Sequence, residues 1–284
     1  MPDPYATIVD ADPSLQERLA EVLELRAKDS QQQAMLRAYL SEIELPPGAS
    51  ALEVGCGTGA VSRALVESLK LAVIGLDPSP ILVARARDLG KHLPDLTFLQ
   101  GDGRSLNWPD ATFDLIVFHT VLCHIPNPEV ALREAYRVLS PGGWLAVFDG
   151  DFTTTTVAIK NADPLQRLVD AMVANFVHDP WLVRRLPKTL ESVGFRMQSL
   201  RSHGYTQTSE PTYMFTLIDR GAEVLIGAGA LAADDADVLM KEARRRAQAG
   251  EFFGHISFVS AIARKPNRVP PMTPNTSLER TREA

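Results

Sequence analysis

Leu52-Glu53-Val54-Gly55-Cys56-Gly57-Thr58-Gly59-Ala60 is the stretch whose reading decides the fold. An apolar run, Ala51 to Val54, leads into glycines at three alternate positions. A helical pattern starts at once, with Val61, Ala64, Leu65, Ser68 and Leu69 expected on one face. The segment therefore reads as strand, tight turn, helix. Glycine suits a sharp turn against which a ligand lies on bare backbone. The helix N-terminus beyond it offers unpaired N–H groups and positive partial charge to a carboxylate or phosphate. Asp77 closes the next apolar run, Leu71-Ala72-Val73-Ile74-Gly75-Leu76. A carboxylate at the tip of a second strand accepts both hydroxyls of a ribose. The first half of the chain thus reads as a site for a nucleoside-containing cofactor.

Gly55-x-Gly57-x-x-Ala60 also satisfies the loose dinucleotide pattern. Three features point elsewhere. Glu53, not a small residue, stands two before Gly55; the third glycine is Gly59, not residue 60; and Gly101-Asp102-Gly103 follows a third apolar stretch, Leu96-Thr97-Phe98-Leu99. Two later segments complete an ordered set: Phe113-Asp114-Leu115-Ile116-Val117-Phe118-His119 and Arg137-Val138-Leu139-Ser140-Pro141-Gly142-Gly143-Trp144-Leu145. Over roughly residues 34–149 this set resembles the class I S-adenosylmethionine (SAM)-dependent methyltransferases. It is similar to the small-molecule enzymes of menaquinone and ubiquinone biosynthesis. The resemblance implies SAM as cofactor. Backbone at Gly55, Cys56 and Gly57 would approach the methionine portion. Asp77 would hold the ribose, with Pro78 beside it. Asp102 would take the adenine amino group, with the Gly103 N–H nearby. His119 would contribute to the same pocket.

Composition is that of an ordinary globular chain, and a net charge of −6 gives no reason to expect a phosphate-backbone partner. No apolar stretch approaches the 20 or so residues of a membrane span. Met1-Pro2-Asp3-Pro4-Tyr5 has no basic segment followed by an apolar one, so no signal peptide is visible. Cys56 and Cys123 make neither a disulfide framework nor a zinc site. The expectation is a cytoplasmic monomer or homodimer, with no nucleic-acid or membrane partner and no metal.

Residues 12–28 read as a helix capped by Asp12, with Pro13 in its first turn and Leu15, Leu19, Val22, Leu23 and Arg26 at helical spacing. Ser30-Gln31-Gln32-Gln33 resembles a capping box for a second helix carrying Met35, Leu36, Tyr39 and Leu40. Residues 1–47 are accordingly expected to form a helical lid. Strands are expected near 50–54, 71–77, 96–99, 113–119 and 143–149, with a helix capped by Asn127 before the last of these. Alternation of strands and helices predicts an α/β, Rossmann-like, doubly wound sheet. Phe195 to Leu200 reads as a sixth strand and His255 to Ala263, by its alternation, as a seventh, which in the family runs antiparallel beside the sixth, giving a mostly parallel seven-stranded sheet over 48–265. Helical insertions are expected at about 150–194 and 205–250, and a disordered tail over 266–284.

SAM carries its methyl on a sulfonium, so such an enzyme mainly positions two reactants in line and excludes water. A base is needed only when the acceptor arrives protonated. His119 ends the fourth strand and His124 lies in the loop beyond it, on the side where open α/β sheets bind ligands. Either reads as a base or as a pocket residue. Asp149-Gly150-Asp151 reads as a loop with one acid facing the acceptor pocket, since no Asp-Asn partner for a metal is found. The insertions are expected to build that pocket, with Tyr213 to Ile218 and Phe252-Phe253 as its apolar cover or as core. No Asn/Asp-Pro-Pro-aromatic tetrad follows Phe118, and no Pro-Cys nucleophile occurs, so a small-molecule acceptor is expected. The leading reading is O- or C-methylation, with N possible. Two alternatives stand beside it: a SAM-binding protein of this fold with non-methylating chemistry or a regulatory role, and a nicotinamide-dependent oxidoreductase.

Overall fold

A computed structural model describes residues 3–267. The tail expected from 266 lies, from residue 268 on, outside them. Two helices, α1 (Pro13–Lys28) and α2 (Ser30–Leu40), precede the sheet domain. Then follow β1 (Ser50–Val54), α3 (Ala60–Leu69), β2 (Ala72–Asp77), α4 (Pro80–Gly90), β3 (Leu96–Gln100), β4 (Phe113–His119), α5 (Pro128–Val138) and β5 (Leu139–Thr156). The second half supplies α6 (Pro164–Phe176), α7 (Leu182–Val193), β6 (Arg196–Gln207), α8 (Thr212–Gly227), α9 (Ala233–Gln248) and β7 (Gly254–Arg264).

The seven strands form one sheet in the order β3-β2-β1-β4-β5-β7-β6. Strands β1 to β5 run parallel, and β7 is antiparallel to both its neighbours, β5 and β6. Leu115, Ile116, Val117 and Phe118 of β4 are all fully buried, as a central strand covered by helices on both faces requires. The order reverses between β1 and β4, so the chain ends of these strands frame a crevice beyond their carboxyl ends.

Several local expectations are corrected. Asp29, not Ser30, caps α2, accepting from the Gln31 and Gln32 N–H groups at 2.8 and 3.0 Å. Asn127 stands at the N-cap position of α5 with φ 54°, and its side chain caps nothing. The buried face of α3 is Val61, Ser62, Leu65 and Val66, not the face through Ala64 and Ser68. Asp149 and Asp151 are within β5, which runs on to Thr156, not in a loop.

The N-terminal helices are fastened to the sheet domain by side chains. Gln16 accepts from the Ser79 hydroxyl at 2.6 Å, where Ser79 also caps α4. Glu24 receives both contacts of the Arg63 Nη2 group at 3.0 Å. Gln31 bonds both backbone groups of Thr206 on β6, at 2.8 and 3.2 Å. In the second half, α6 packs on α8, and the buried Arg246–Asp163 pair at 2.7 Å ties α9 to the cap of α6.

Candidate active site

A cavity of about 830 Å³ opens beyond the carboxyl ends of β1, β2 and β4. Gly55, Cys56, Gly57, Asp77, Pro78, Asp102, Gly103, His119 and His124 all line it. The opposite wall comes from Tyr5 to Asp10 and from α1 and α2. Its lining lies between Tyr5 and Pro126, so the insertions do not build it, contrary to expectation. Of their candidate cover, Tyr213, Met214, Leu217, Ile218 and Phe252 are buried in the main core.

The glycine turn is held from within. Gly55 N and Cys56 N both donate to Leu76 O, at 2.7 and 3.0 Å, and Gly59 N donates to Cys56 O at 2.8 Å. Gly57 N donates to Asp77 Oδ2 at 2.8 Å. All four donors are engaged, and the unpaired N–H groups expected of the helix N-terminus belong to α3, past this turn. What the turn presents is bare backbone. A Cβ on Gly55 (φ +71°) would lie 2.6 Å from Val121, another cavity residue, and would fill the space between them. Gly59 serves packing instead: a Cβ there would stand 2.3 Å from the Phe98 ring.

Asp77 is buried, and its second oxygen accepts from Ser79 N at 2.9 Å. Burial raises its pKa to about 6, against the pull of the Ser79 and Gly57 N–H groups. Behind it, burial carries Glu53 to about 8, opposed by the Ser62 hydroxyl, so Glu53 is protonated at neutral pH. Asp102 is half exposed and forked by Arg104 at 2.7–3.1 Å, which holds its carboxyl below the usual range. Burial pushes the Cys56 thiol well above its usual value, which leaves it no nucleophile.

The two histidines differ. His119 Nδ1 lies 3.0 Å from the Tyr39 hydroxyl, and its ring stacks on Phe148 with centroids 4.6 Å apart. Burial, helped by the Arg26 charge, drops its pKa to about 3. It is held neutral, and a nitrogen so reluctant to take a proton makes a poor base. His124 Nδ1 instead lies 2.7 Å from Asp3 Oδ2. Asp3 is itself buried and accepts from His178 N at 2.8 Å and Tyr5 N at 2.9 Å. A carboxylate on Nδ1 fixes the proton there and leaves Nε2 as the acceptor.

Asp149 and Asp151 do not line the cavity. Asp149 accepts from Cys123 N and Gly150 N at 3.2 and 3.0 Å, and Asp151 pairs with Arg184 at 2.9 Å. No group of three or more His, Cys, Asp or Glu among the described residues could hold a metal ion. Asp3, Arg26, Gln32 and Tyr39 also belong to the site, and no motif marks them. The sequence places Arg26 and Tyr39 on apolar helix stripes, where a guanidinium is the available signal.

Residues 52–147 match the family model described as methyltransferase domain, one third of the chain. The chain is 40% identical over 107 residues to the 2-methyl-6-phytyl-1,4-hydroquinone methyltransferase of Synechocystis, covering 37% of this chain and 33% of that one. It is 27% identical over 213 residues to the sterol 24-C-methyltransferase of Eremothecium gossypii, covering 70% of this chain and 56% of that one. The chain thus spans between a third and little over half of these relatives. Among solved structures, the YcgJ protein of Bacillus subtilis superposes with a TM-score of 0.58 at 19% identity, over 83% of this chain and 99% of that one. Fold and site define a Rossmann-like domain with a cavity at the ends of β1, β2 and β4. Its segment 52–147 matches a methyltransferase domain.

Proposed function

We propose that this protein transfers a methyl group from SAM to a small, partly apolar organic acceptor, at oxygen or carbon in preference to nitrogen. One observation carries the reading: a single cavity joins the glycine turn and Asp77 to the histidines at the end of β4. Its volume falls within the usual range for small-molecule sites, with room for a cofactor and an acceptor side by side. The bare turn at Gly55, the buried Asp77 carboxylate and the unpartnered Thr58 hydroxyl fit a nucleoside amino acid. Bound there, SAM supplies an electrophilic methyl on its sulfonium.

In this reading Asp77 takes the ribose hydroxyls and Asp102, moving off Arg104, the nucleobase amine. The N-terminal helices exclude water and hold the acceptor in line, which is worth ~7–11 kcal/mol where geometry is ideal. His124 Nε2 takes the proton of an acceptor hydroxyl, with Asp3 holding the ring. His119, kept neutral, offers a hydrogen bond and shape. The reading includes a cytoplasmic monomer or homodimer with no nucleic-acid partner.

Calorimetry with S-adenosylhomocysteine, together with transfer of labelled methyl to a panel of phenols and hydroquinones, tests this. Asp77→Ala is expected to weaken binding about a hundredfold, as two hydrogen bonds to a charged group are lost. His124→Gln is expected to leave binding unchanged and slow transfer by ~10²–10⁴. Absence of binding to the unmodified protein would sink the proposal.

A further inference from the structure

The glycine turn has no free donor at Gly55, Cys56, Gly57 or Gly59, yet a half-buried cation without a carboxylate partner stands close by; Arg37, also in the cavity lining, is exposed. A Cβ on Gly57 would lie 2.8 Å from Leu23 of α1, so α1 passes directly over the turn. Arg26 follows three residues later, on the same face of that helix. It lines the cavity. Its Nη1 donates to Thr120 Oγ1 at 3.3 Å, at the end of β4. Its guanidinium lies over the rings of Tyr213 and Phe258, 5.3 and 5.8 Å from their centroids. No carboxylate among the described residues pairs with it, although most other arginines around the fold have one. Its Nε is fully buried and has no hydrogen-bond partner. Gln32 of α2 lines the same cavity, is 5% exposed, and has an Nε2 in the same condition.

Taking a guanidinium out of water without a counter-ion is costly, and so is a buried donor left unbonded. Both costs fall on one wall of one cavity, and one ligand group relieves both. The planar guanidinium fork matches a carboxylate in two parallel hydrogen bonds. We infer that Arg26, aided by Gln32, is the carboxylate-binding site of this cavity. The inference rests on the function proposed above. Two sources supply that chemistry: the aminoacyl end of the cofactor, or a carboxylate on the acceptor.

Calorimetry on the full chain separates them, using S-adenosylhomocysteine and 5′-methylthioadenosine. The second probe keeps the nucleoside and lacks the carboxylate. Arg26→Gln is expected to weaken S-adenosylhomocysteine by about ten- to a hundredfold, the worth of a charge-assisted bond, and to leave methylthioadenosine unchanged. Arg26→Lys should restore part of the loss, since the charge remains but the fork does not. Methylthioadenosine also reports whether the variant is folded around Asp77. If both nucleosides bind the variant normally, 4-hydroxybenzoate is titrated into protein saturated with S-adenosylhomocysteine. Weaker binding there, with phenol unaffected, assigns the site to an acceptor carboxylate. No change with any carboxylate probe overturns the inference and leaves the proposed function standing. An equal loss for both nucleosides makes Arg26 structural and also overturns it. Failure of the unmodified protein to bind either nucleoside removes the proposed function, and this inference with it.

Discussion

At the scale of single residues, the site is set by how burial treats each ionisable group. Glu53 and Asp77 are both buried carboxyls, but Asp77 receives two backbone N–H bonds and Glu53 one hydroxyl. The first is held at about 6 and the second rises to about 8. A raised carboxyl pKa means that the folded protein keeps a proton the unfolded chain releases. Stability from Glu53 is therefore full below its ordinary value of 4.5 and declines as pH rises towards 8. Between pH 6.5 and 8 most of the Asp77 contribution is already spent, while His119, neutral in the fold, still sheds about half a proton from the unfolded chain and offsets the decline by a few tenths of a kcal/mol. Over that window the unmodified protein is expected to lose about 1.5 kcal/mol, or roughly 3–6 °C in melting temperature. Glu53→Gln keeps the shape and an acceptor for Ser62 while removing the titration. Its melting temperature should lose this decline and stay level or rise slightly across the window; an equal fall in both proteins would show that Glu53 is not the source.

At the scale of elements, packing of α6 against α8 depends on one missing atom. A Cβ at Gly221 would stand 1.7 Å from the Leu168 carbonyl oxygen, a backbone atom that cannot swing aside. The two helices must separate to admit it, and overpacking of this kind costs about 3 kcal/mol or more. Gly221→Ala is expected to lower the melting temperature by about 6–12 °C. Gly227, at the end of the same helix, has open space around it. Gly227→Ala is expected to be neutral or stabilising by up to about 1 kcal/mol. Thermal melts of the two variants, side by side, separate helix contact from helix propensity; similar melts for both would discard the contact argument.

At the scale of the whole molecule, the cavity is closed by a wall that belongs to no sheet motif. Tyr5 to Asp10, α1 and α2 face the glycine turn across it, and their anchors reach α3, α4 and β6. A ligand bound between wall and turn favours the closed arrangement by mass action. Hydrogen exchange within residues 5–41 is therefore expected to slow several-fold when S-adenosylhomocysteine is added, while α8 and α9 stay unchanged. Uniform slowing over the chain, or none within 5–41, would remove the N-terminal helices from the site.

The residues from Ala51 to Trp144 determined by themselves that the chain is a Rossmann-like sheet with its cavity beyond the strand ends. Their information is local: apolar runs, glycines at a turn, and an acid at a strand tip each sit within a few residues of the backbone they shape. Strand length at β5 and β6 was less legible, because pairing with β7 extends them past their apolar runs. Where the insertions pack and how the two histidines differ depended on the tertiary structure alone. Asp3 meets His124 across 121 positions, and Tyr39 meets His119 across 80. No periodicity reports such contacts. The difference between a neutral His119 and a carboxylate-bound His124, and the unpaired state of Arg26, come from burial and from neighbours, which exist only once the chain has folded.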